Sequence, residues 1–195
     1  SAKPGVEIIL VDNGSTDKTV EIVKKLPVKL FFSERGKIAA INKGIKNSKS
    51  DIIIITDADT TTPKETVSKC VNLLTKDIGA VNAICQIKDK IKGSYSKEKL
   101  SYNNKDWILR YLEGKLDSTI CLDGKFIAFR KKIFPKFPKK TWVDDYELVF
   151  FLKRKGYRSI VCKSARVFEE PPVNVREELK QISRRMGLNI LINFK

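Results

Sequence analysis

The sequence predicts an α/β domain with a Rossmann-like, mixed but mostly parallel sheet that is flanked by helices. Between residues 6 and 87, short apolar runs alternate with segments of helical spacing, which is the element order of a doubly wound sheet. One of these runs, Ile52–Ile55, consists only of isoleucine, as expected of a strand that is covered on both faces. The 195 residues suffice for one domain with its own core and are too few to argue for two.

In the first half of the chain, clusters of β-branched residues predict strands, and apolar residues at spacings of three or four predict helices. The predicted strands cover residues 6–11, 28–32, 52–55 and 79–87, and the predicted helices cover residues 19–26, 37–46 and 62–75. Thr62 and Pro63 suit the N-cap and the first position of the third helix.

The second half is less regular. Its periodicity predicts helices over residues 97–112 and 146–155, and strands over residues 119–122, 126–130 and 159–162. Beyond Pro171 and Pro172, which break the chain, an apolar stripe recurs at helical spacing with basic residues on the opposite face. This pattern predicts a final amphipathic helix within residues 171–195.

Basic residues dominate the charge. Lysine and arginine number 39 against 23 acidic residues, which gives a formal net charge of +16 and a pI near 9.7. Such a field attracts polyanions, namely nucleic acid, an anionic membrane or phosphorylated substrates. The competing interpretation is that the lysines serve only solubility.

The chain contains no histidine, which excludes Ser-His-Asp and Cys-His catalysis and every metal site that needs imidazole. Its four cysteines, Cys70, Cys85, Cys121 and Cys162, lie far apart among apolar residues. Because CxxC spacing is missing, we expect them to be reduced and buried rather than bound in disulfides or to zinc.

Two carboxylates closely follow the isoleucine strand. Asp57 and Asp59 are two positions apart, and in an extended segment such residues point to the same side. Ligands of open α/β sheets bind beyond the carboxyl ends of the strands, where a divalent cation would relieve the repulsion between the two carboxylates. Hard oxygen ligands without histidine favour Mg²⁺ or Mn²⁺. The alternative is that these acids cap the following helix, a role for which Thr62 is already available.

Asp12 and Asn13 follow the first predicted strand in a run of turn-forming residues. Taken alone, this run is most simply a tight turn. Its expected position beside the strand that leads to Asp57 favours a second interpretation, in which its polar groups bind a base and a ribose next to a phosphate site.

Six segments of the chain, in this order, resemble the motifs of family 2 glycosyltransferases, which have the GT-A fold. They are VDNGSTD at residues 11–17, GKIAAINKG at 36–44, DAD at 57–59, GKFIAFR at 124–130, DDYEL at 144–148 and QISRR at 181–185. The last segment is similar to the Q-x-x-R-W motif of membrane-associated polysaccharide synthases, with Arg185 in place of Trp. The first strand and helix of the family would precede residue 6 and are expected to be missing from this sequence.

The resemblance implies an inverting glycosyltransferase that uses a nucleotide-sugar donor, a UDP-sugar being favoured, and a glycan or lipid-linked acceptor. It makes Asp145 the general base of a single displacement, and Asp57 and Asp59 the ligands of Mg²⁺ or Mn²⁺. The other implied contacts are to the donor at Asp12, Asn13, Lys37, Asp57 and Arg184, and to the acceptor at Gly124, Asp144, Gln181 and Arg185. For Asp144 and Asp145, the alternative is a role as N-cap and first-turn acids of the following helix.

The same resemblance makes residues 1–195 one catalytic domain, with a nucleotide-sugar-binding half (1–90), an acceptor-binding half (91–170) and a C-terminal helix (171–195). The basic charge and that helix predict a position at the cytoplasmic face of a membrane. Nucleic acid is not expected as a partner, because the lysines are dispersed and the acids cluster at strand ends. Two other function classes stay open. A nucleotidyltransferase of related fold would need a basic or glycine-rich phosphate loop after the first strand, and a nucleic-acid-binding module would concentrate basic and aromatic residues on one element.

Overall fold

The computed structural model describes residues 5–87, 106–139 and 143–169. Seven strands and five helices occur in these ranges. The strands are β1 (Ile9–Asp12), β2 (Lys29–Phe32), β3 (Ile52–Ile55), β4 (Thr60–Thr61), β5 (Ile78–Ile87), β6 (Ile127–Arg130) and β7 (Arg158–Glu169). The helices are α1 (Thr19–Val23), α2 (Lys37–Asn47), α3 (Thr66–Val71), α4 (residues 106–116) and α5 (Asp144–Arg154).

The described strands form two sheets. One is a pair of parallel strands, β1 and β2, and the other is a five-stranded sheet of order β3-β6-β5-β7-β4. In the larger sheet β5 and β7 are parallel, whereas β6 runs antiparallel to both of its neighbours and β4 antiparallel to β7. The prediction of a mixed sheet is therefore confirmed, but the prediction that it is mostly parallel is wrong, because among the described strands only the pairs β1–β2 and β5–β7 are parallel. The difference arises because the loop before β6 delivers the chain to the edge where β3 and β5 end, so that β6 returns between them.

This topology gathers chain ends at one edge of the large sheet. Because β3 and β5 both oppose β6, and β7 is parallel to β5, the carboxyl ends of β3, β5 and β7 lie together. The amino end of β6 reaches the same edge. Ligand sites of open α/β sheets lie at such edges, and the placement accounts for the positions of Asp57, Asp59 and Glu169 described below.

The two faces of the large sheet carry separate apolar clusters. Ile53 and Ile55 of β3 belong to one cluster, which includes residues of α2 and α5, whereas Ile52 and Ile54 pack against the other, to which α3 contributes. The alternation confirms that this strand is covered on both faces. In the first cluster, the ring of Phe134 meets those of Phe129, Phe137 and Phe151 edge to face, at centroid distances of 6.0, 4.6 and 4.8 Å, respectively.

The four cysteines are free, as predicted. Cys70, Cys121 and Cys162 are buried and Cys85 is partly buried. Burial raises the pKa of the Cys121 thiol to about 11, so this group is protonated at neutral pH.

Several predicted boundaries differ from the structure. Helix α3 begins at Thr66 with Glu65 as its N-cap residue, so the assignment of Thr62 as N-cap is wrong. Residues 119–122, predicted as a strand, form none. The predicted helix over residues 97–112 lies partly outside the described residues, and its described part continues to residue 116. The predicted helix within residues 171–195 lies outside them entirely.

Strand β7 is much longer than the four residues predicted from sequence. It pairs with β5 in two stretches, and between them the register advances from Cys162 to Arg166 on β7 while β5 advances only from Ala83 to Ile84. The polar residues of this bulge interrupt the apolar pattern and so hide the second stretch. The second stretch carries β7 to Glu169, at the edge where β3 ends.

Candidate active site

Three carboxylates meet at the edge where β3 and β7 end. Asp57 and Asp59 follow β3, and the two-residue strand β4 then pairs Thr60 with Glu169 at the end of β7. This pairing places Asp59, the neighbour of Thr60, beside Glu169. Asp57 and Asp59 therefore lie together as predicted, and Glu169 joins them as a third acid that the sequence did not indicate.

The ammonium group of Lys125 lies at the centre of these acids. Its Nζ is 3.1 Å from Asp59 Oδ1, 3.1 Å from Glu169 Oε2 and 3.5 Å from Asp57 Oδ2. The side chain is only 12% exposed. Burial by itself would lower the pKa of Lys125, but the charges of Glu169, Asp59 and Asp57 outweigh it and raise the pKa above its usual value. Lys125 therefore carries a positive charge at neutral pH.

The loop that carries Lys125 is held from two strands. The buried amide of Asn82, on β5, donates to the carbonyl of Asp123 at 2.9 Å and accepts the Asp123 N–H at 2.9 Å. The Thr56 hydroxyl, at the end of β3, donates to the Lys125 carbonyl at 2.9 Å. These bonds hold the backbone of the loop, whereas the side chain of Lys125 is held only through its ammonium group. Asn82 and Lys125 were not predicted as site residues, because both act through partners that are distant along the chain.

A second lysine, Lys37, connects Asp57 with the first turn of α5. It is the first residue of α2, and its Nζ lies 3.1 Å from Asp144 Oδ2 and 3.8 Å from Asp57 Oδ1. Burial alone would lower the pKa of Lys37, but Asp144 and Asp57 more than offset this and raise it. The backbone of Gly124 comes so close that a Cβ at this position would lie 3.2 Å from Lys37 Nζ. Gly124 thus gives Lys37 the space to reach Asp144.

Asp144 and Asp145 form the first turn of α5. The N-cap residue is Val143, which makes no side-chain capping bond, so the N-cap alternative for the two acids is wrong and the first-turn alternative is confirmed. Asp144 is buried against Lys37. Burial and the neighbouring charge of Asp144 raise the pKa of Asp145 to about 6. A carboxylate with this pKa is ionised at neutral pH and is a stronger base than an ordinary aspartate.

Asp12 ends β1 and shapes its own loop. Its carboxylate accepts the N–H groups of Gly14 at 3.2 Å and Ser15 at 3.3 Å. The side chain of Ser15 and these backbone bonds lower the pKa of Asp12. Gly14 has a φ of +108°, which favours glycine. Asn13 is exposed in the same loop. The predicted contact of Asp12 and Asn13 with a nucleotide-sugar donor stays a prediction.

The predicted contacts at Gln181, Arg184 and Arg185 lie outside the described residues. Of the other predicted residues, Lys37 lies close to Asp57, Asp144 and Gly124, and Asp57 and Asp59 share Lys125. Asp145 is next to Asp144 in α5, and Asp12 and Asn13 follow β1 in the two-stranded sheet.

The donor atoms at the sheet edge suit a divalent cation. Carboxylate oxygens are the ligands that Mg²⁺ and Mn²⁺ prefer, and the carboxylates of Asp57, Asp59 and Glu169 already surround one positive charge. Among the described residues, no three acidic, histidine or cysteine side chains form a ready-made ligand group. The carboxylates converge on Lys125 Nζ, and the residues fit a cation if that group moves.

Comparison with known proteins yields a family match. The model of Glycosyl transferase family 2 matches residues 2–137. The chain is 26% identical over 189 residues to a probable glycosyltransferase of Bacillus subtilis, YdaM, which covers 87% of this chain and 44% of that protein. It is 26% identical over 163 residues to a poly-beta-1,6-N-acetyl-D-glucosamine synthase of Staphylococcus aureus, which covers 78% of this chain and 40% of that protein. The chain thus spans less than half the length of these relatives.

A solved structure shares the architecture. The mannosyltransferase PcManGT from Pyrobaculum calidifontis, in complex with GDP-Man and Mn²⁺, superposes with a TM-score of 0.72 and 25% sequence identity, over 92% of this chain and 51% of that one. The mixed sheet with flanking helices is therefore the GT-A fold. The nucleotide sugar and the cation belong to that structure, where they occur together in one enzyme.

The raised pKa of Asp145 predicts a stability effect. The folded value of about 6 lies above the usual value of 3.8, so the native state holds the proton more tightly, and this contribution is lost as the pH rises through about 6. Asp145→Asn should therefore raise the free energy of unfolding at pH 7.5, by on the order of 1 to 3 kcal/mol. The gain should shrink as the pH falls toward 4. Urea unfolding at several pH values measures it.

Asp51→Asn is the matched control, because Asp51 is an exposed aspartate outside this site and its replacement makes the same chemical change elsewhere. A stability of Asp145→Asn that equals the wild type at every pH would contradict the raised pKa.

Proposed function

The chain belongs to glycosyltransferase family 2, and from this premise we propose that it is an inverting enzyme that moves a sugar from a nucleoside diphosphate to a hydroxyl group. One observation carries the proposal: the carboxylates of Asp57, Asp59 and Glu169 and the acids of α5 occur at the same sheet edge, connected by Lys37. The groups that would stabilise the leaving diphosphate and the group that would act as base are therefore close together.

Asp57 and Asp59 would hold Mg²⁺ or Mn²⁺ on the donor diphosphate. When bound, such a cation stabilises the negative charge that develops on the leaving nucleoside diphosphate. Asp57 and Asp59 are 34% and 63% exposed, so both can be reached by a ligand from solvent. The presence of Mn²⁺ in the mannosyltransferase complex supports this proposal.

Asp145 would accept the proton of the attacking hydroxyl group. Its raised pKa, about 6, gives a base that is ionised at neutral pH and still binds a proton well. Attack by that hydroxyl on the anomeric carbon breaks the bond to the diphosphate in one displacement, which inverts the configuration. Asp144, paired with Lys37 at 3.1 Å, lies beside the base and contributes to its raised pKa.

The remaining predicted residues complete the proposed donor and acceptor sites. Asp12 and Asn13 would contact the nucleoside, and Lys37 and Arg184 the diphosphate, for which arginine is a suitable bidentate donor. Gly124, Asp144, Gln181 and Arg185 would face the acceptor, a glycan or a lipid-linked glycan. The division into a donor half (1–90) and an acceptor half (91–170) belongs to the same proposal.

A position at the cytoplasmic face of a membrane is proposed as well. Among the described helices, none is long and apolar enough to cross a bilayer. Helix α4, however, exposes a row of large apolar side chains at helical spacing, and the protein carries a net charge of +16. The exposed fractions are 43% for Ile108, 59% for Leu109, 52% for Leu112 and 91% for Leu116. An apolar helix face on a basic protein suits the surface of an anionic bilayer.

Donor binding should require a divalent cation. In a thermal-shift screen of UDP-, GDP- and dTDP-sugars, we expect one class to raise the melting temperature, and to do so with Mn²⁺ but not with EDTA. Asp59→Ala should abolish the shift because a cation ligand is lost, whereas Asp51→Asn should respond like the wild type. The donor assignment fails if no nucleotide sugar stabilises the protein or if Asp59→Ala behaves like the wild type.

Sugar transfer should depend on the ionisation of Asp145. We expect the rate at saturating donor to fall as the pH drops below about 6, and Asp145→Asn to reduce it at least ~100-fold, the usual contribution of a general base. Donor binding should persist in the variant. Release of nucleoside diphosphate in the presence of isolated membranes measures transfer. Retained turnover in Asp145→Asn would exclude Asp145 as the base.

Membrane association should depend on the α4 row. Sedimentation with vesicles that contain phosphatidylglycerol should recover the wild type at low salt, and Leu112→Glu should reduce recovery severalfold because it places a negative charge in the apolar row. Leu26→Glu is the control, since Leu26 is similarly exposed, at 50%, beyond α1. Equal recovery of the two variants would contradict a membrane-binding role of α4.

A further inference from the structure

Lys125 Nζ lies among the carboxylates to which the proposed function assigns a cation. Its Nζ contacts Asp59 and Glu169 at 3.1 Å and Asp57 at 3.5 Å, so one ammonium group joins acids from the ends of β3 and β7. The three carboxylates bring three negative charges to one positive charge. Asp57 has a second cationic neighbour in Lys37, at 3.8 Å through its other oxygen.

A divalent cation and this ammonium group exclude each other. Both would bind the same carboxylate oxygens, and two cations in contact within a partly buried site repel strongly. A cation could therefore bind there only after Lys125 Nζ withdraws. Asn82 and Thr56 hold the loop backbone by hydrogen bonds. We therefore expect Nζ to withdraw by rotation of the flexible Lys125 side chain, which has four rotatable bonds.

We propose that Lys125 is a built-in competitor of the divalent cation: its ammonium group holds Asp57, Asp59 and Glu169 together before the cation binds and is displaced when it does. Glu169 is then a third ligand for the cation, beside Asp57 and Asp59. This inference rests on the proposed function, which supplies the cation.

Displacement of Lys125 should link the binding of the cation to the binding of the nucleotide. The displaced ammonium group needs a new anionic partner, and the diphosphate of the donor brings one to the same edge. Cation and nucleotide should therefore bind cooperatively, since each improves the site for the other. Without nucleotide the cation must displace Lys125 unaided, so binding of the cation alone should be weak in the wild type.

Replacement of Lys125 tests the idea directly. We expect Lys125→Met to bind Mn²⁺ at least ten times more tightly than the wild type in the absence of nucleotide, measured by titration calorimetry or by the electron spin resonance signal of free Mn²⁺. Lys29→Met is the matched control. Lys29 pairs with Glu7 at the amino end of β2, so this substitution removes the same charge at a different place. It should leave Mn²⁺ affinity within about twofold of the wild type.

Glu169 is tested in the variant that lacks the competitor. Adding Glu169→Gln to Lys125→Met should weaken Mn²⁺ binding at least tenfold, because the cation then loses one ligand and no ammonium group complicates the comparison. In the presence of UDP or GDP, whichever the wild type binds, the advantage of Lys125→Met should shrink below threefold. Lys125→Gln, which is neutral but can still donate a hydrogen bond, replaces Lys125→Met if that variant does not fold.

The outcomes separate this inference from the proposed function. If Lys125→Met binds Mn²⁺ no more tightly than the wild type, or if Glu169→Gln has no effect in its background, the competitor model is wrong even when nucleotide sugars bind with Mn²⁺. If no nucleotide sugar binds the wild type, the proposed function fails, whereas the Mn²⁺ titrations without nucleotide still decide whether Lys125 competes.

Discussion

The antiparallel insertion of β6 between β3 and β5 is the constraint on which the site depends. A strand that ran parallel to β3 would begin at the opposite edge of the sheet and carry its preceding loop away from the acids. Because β6 runs the other way, the loop before it lies at the edge where β3 and β7 end. This places a lysine among Asp57, Asp59 and Glu169, and it explains why Asn82, on the neighbouring strand β5, holds that loop.

Charges of alternating sign then connect the two ends of the site. Asp144 pairs with Lys37, Lys37 approaches Asp57, Asp57 contacts Lys125, and Lys125 contacts Glu169. Each lysine is shared between acids from different elements, so a ligand that takes one lysine changes the balance at its neighbours. The charge of Lys37 lowers the pKa of Asp145, whereas burial and Asp144 raise it. An anion that draws Lys37 away from Asp145 would therefore raise the pKa of Asp145.

The sequence predicted those features that are encoded locally. The isoleucine strand, the adjacent acids Asp57 and Asp59, the α2 helix and the buried cysteines all follow from short-range pattern and composition, and the structure contains them. The order of six motifs pointed to the family, which the family match confirms and which selects the glycosyltransferase among the three function classes considered. Features that depend on long-range pairing were missed. Glu169 belongs to the second stretch of β7, which the polar residues of the bulge hide from sequence-based prediction. Lys125 contacts acids that lie more than forty residues away along the chain.

Motif resemblance and charge environment also assign Lys37 differently, and the difference is informative. The motif places Lys37 near the nucleotide, whereas in the structure it binds the buried Asp144 and approaches Asp57. Both assignments hold if Lys37 and Lys125 neutralise the acids in the free protein and bind the donor diphosphate when it arrives. Without a bound cation or diphosphate, the acids at this edge would repel one another, and Lys37 and Lys125 relieve that repulsion. The same groups that offset the repulsion among these acids are thus those that a negatively charged donor would attract.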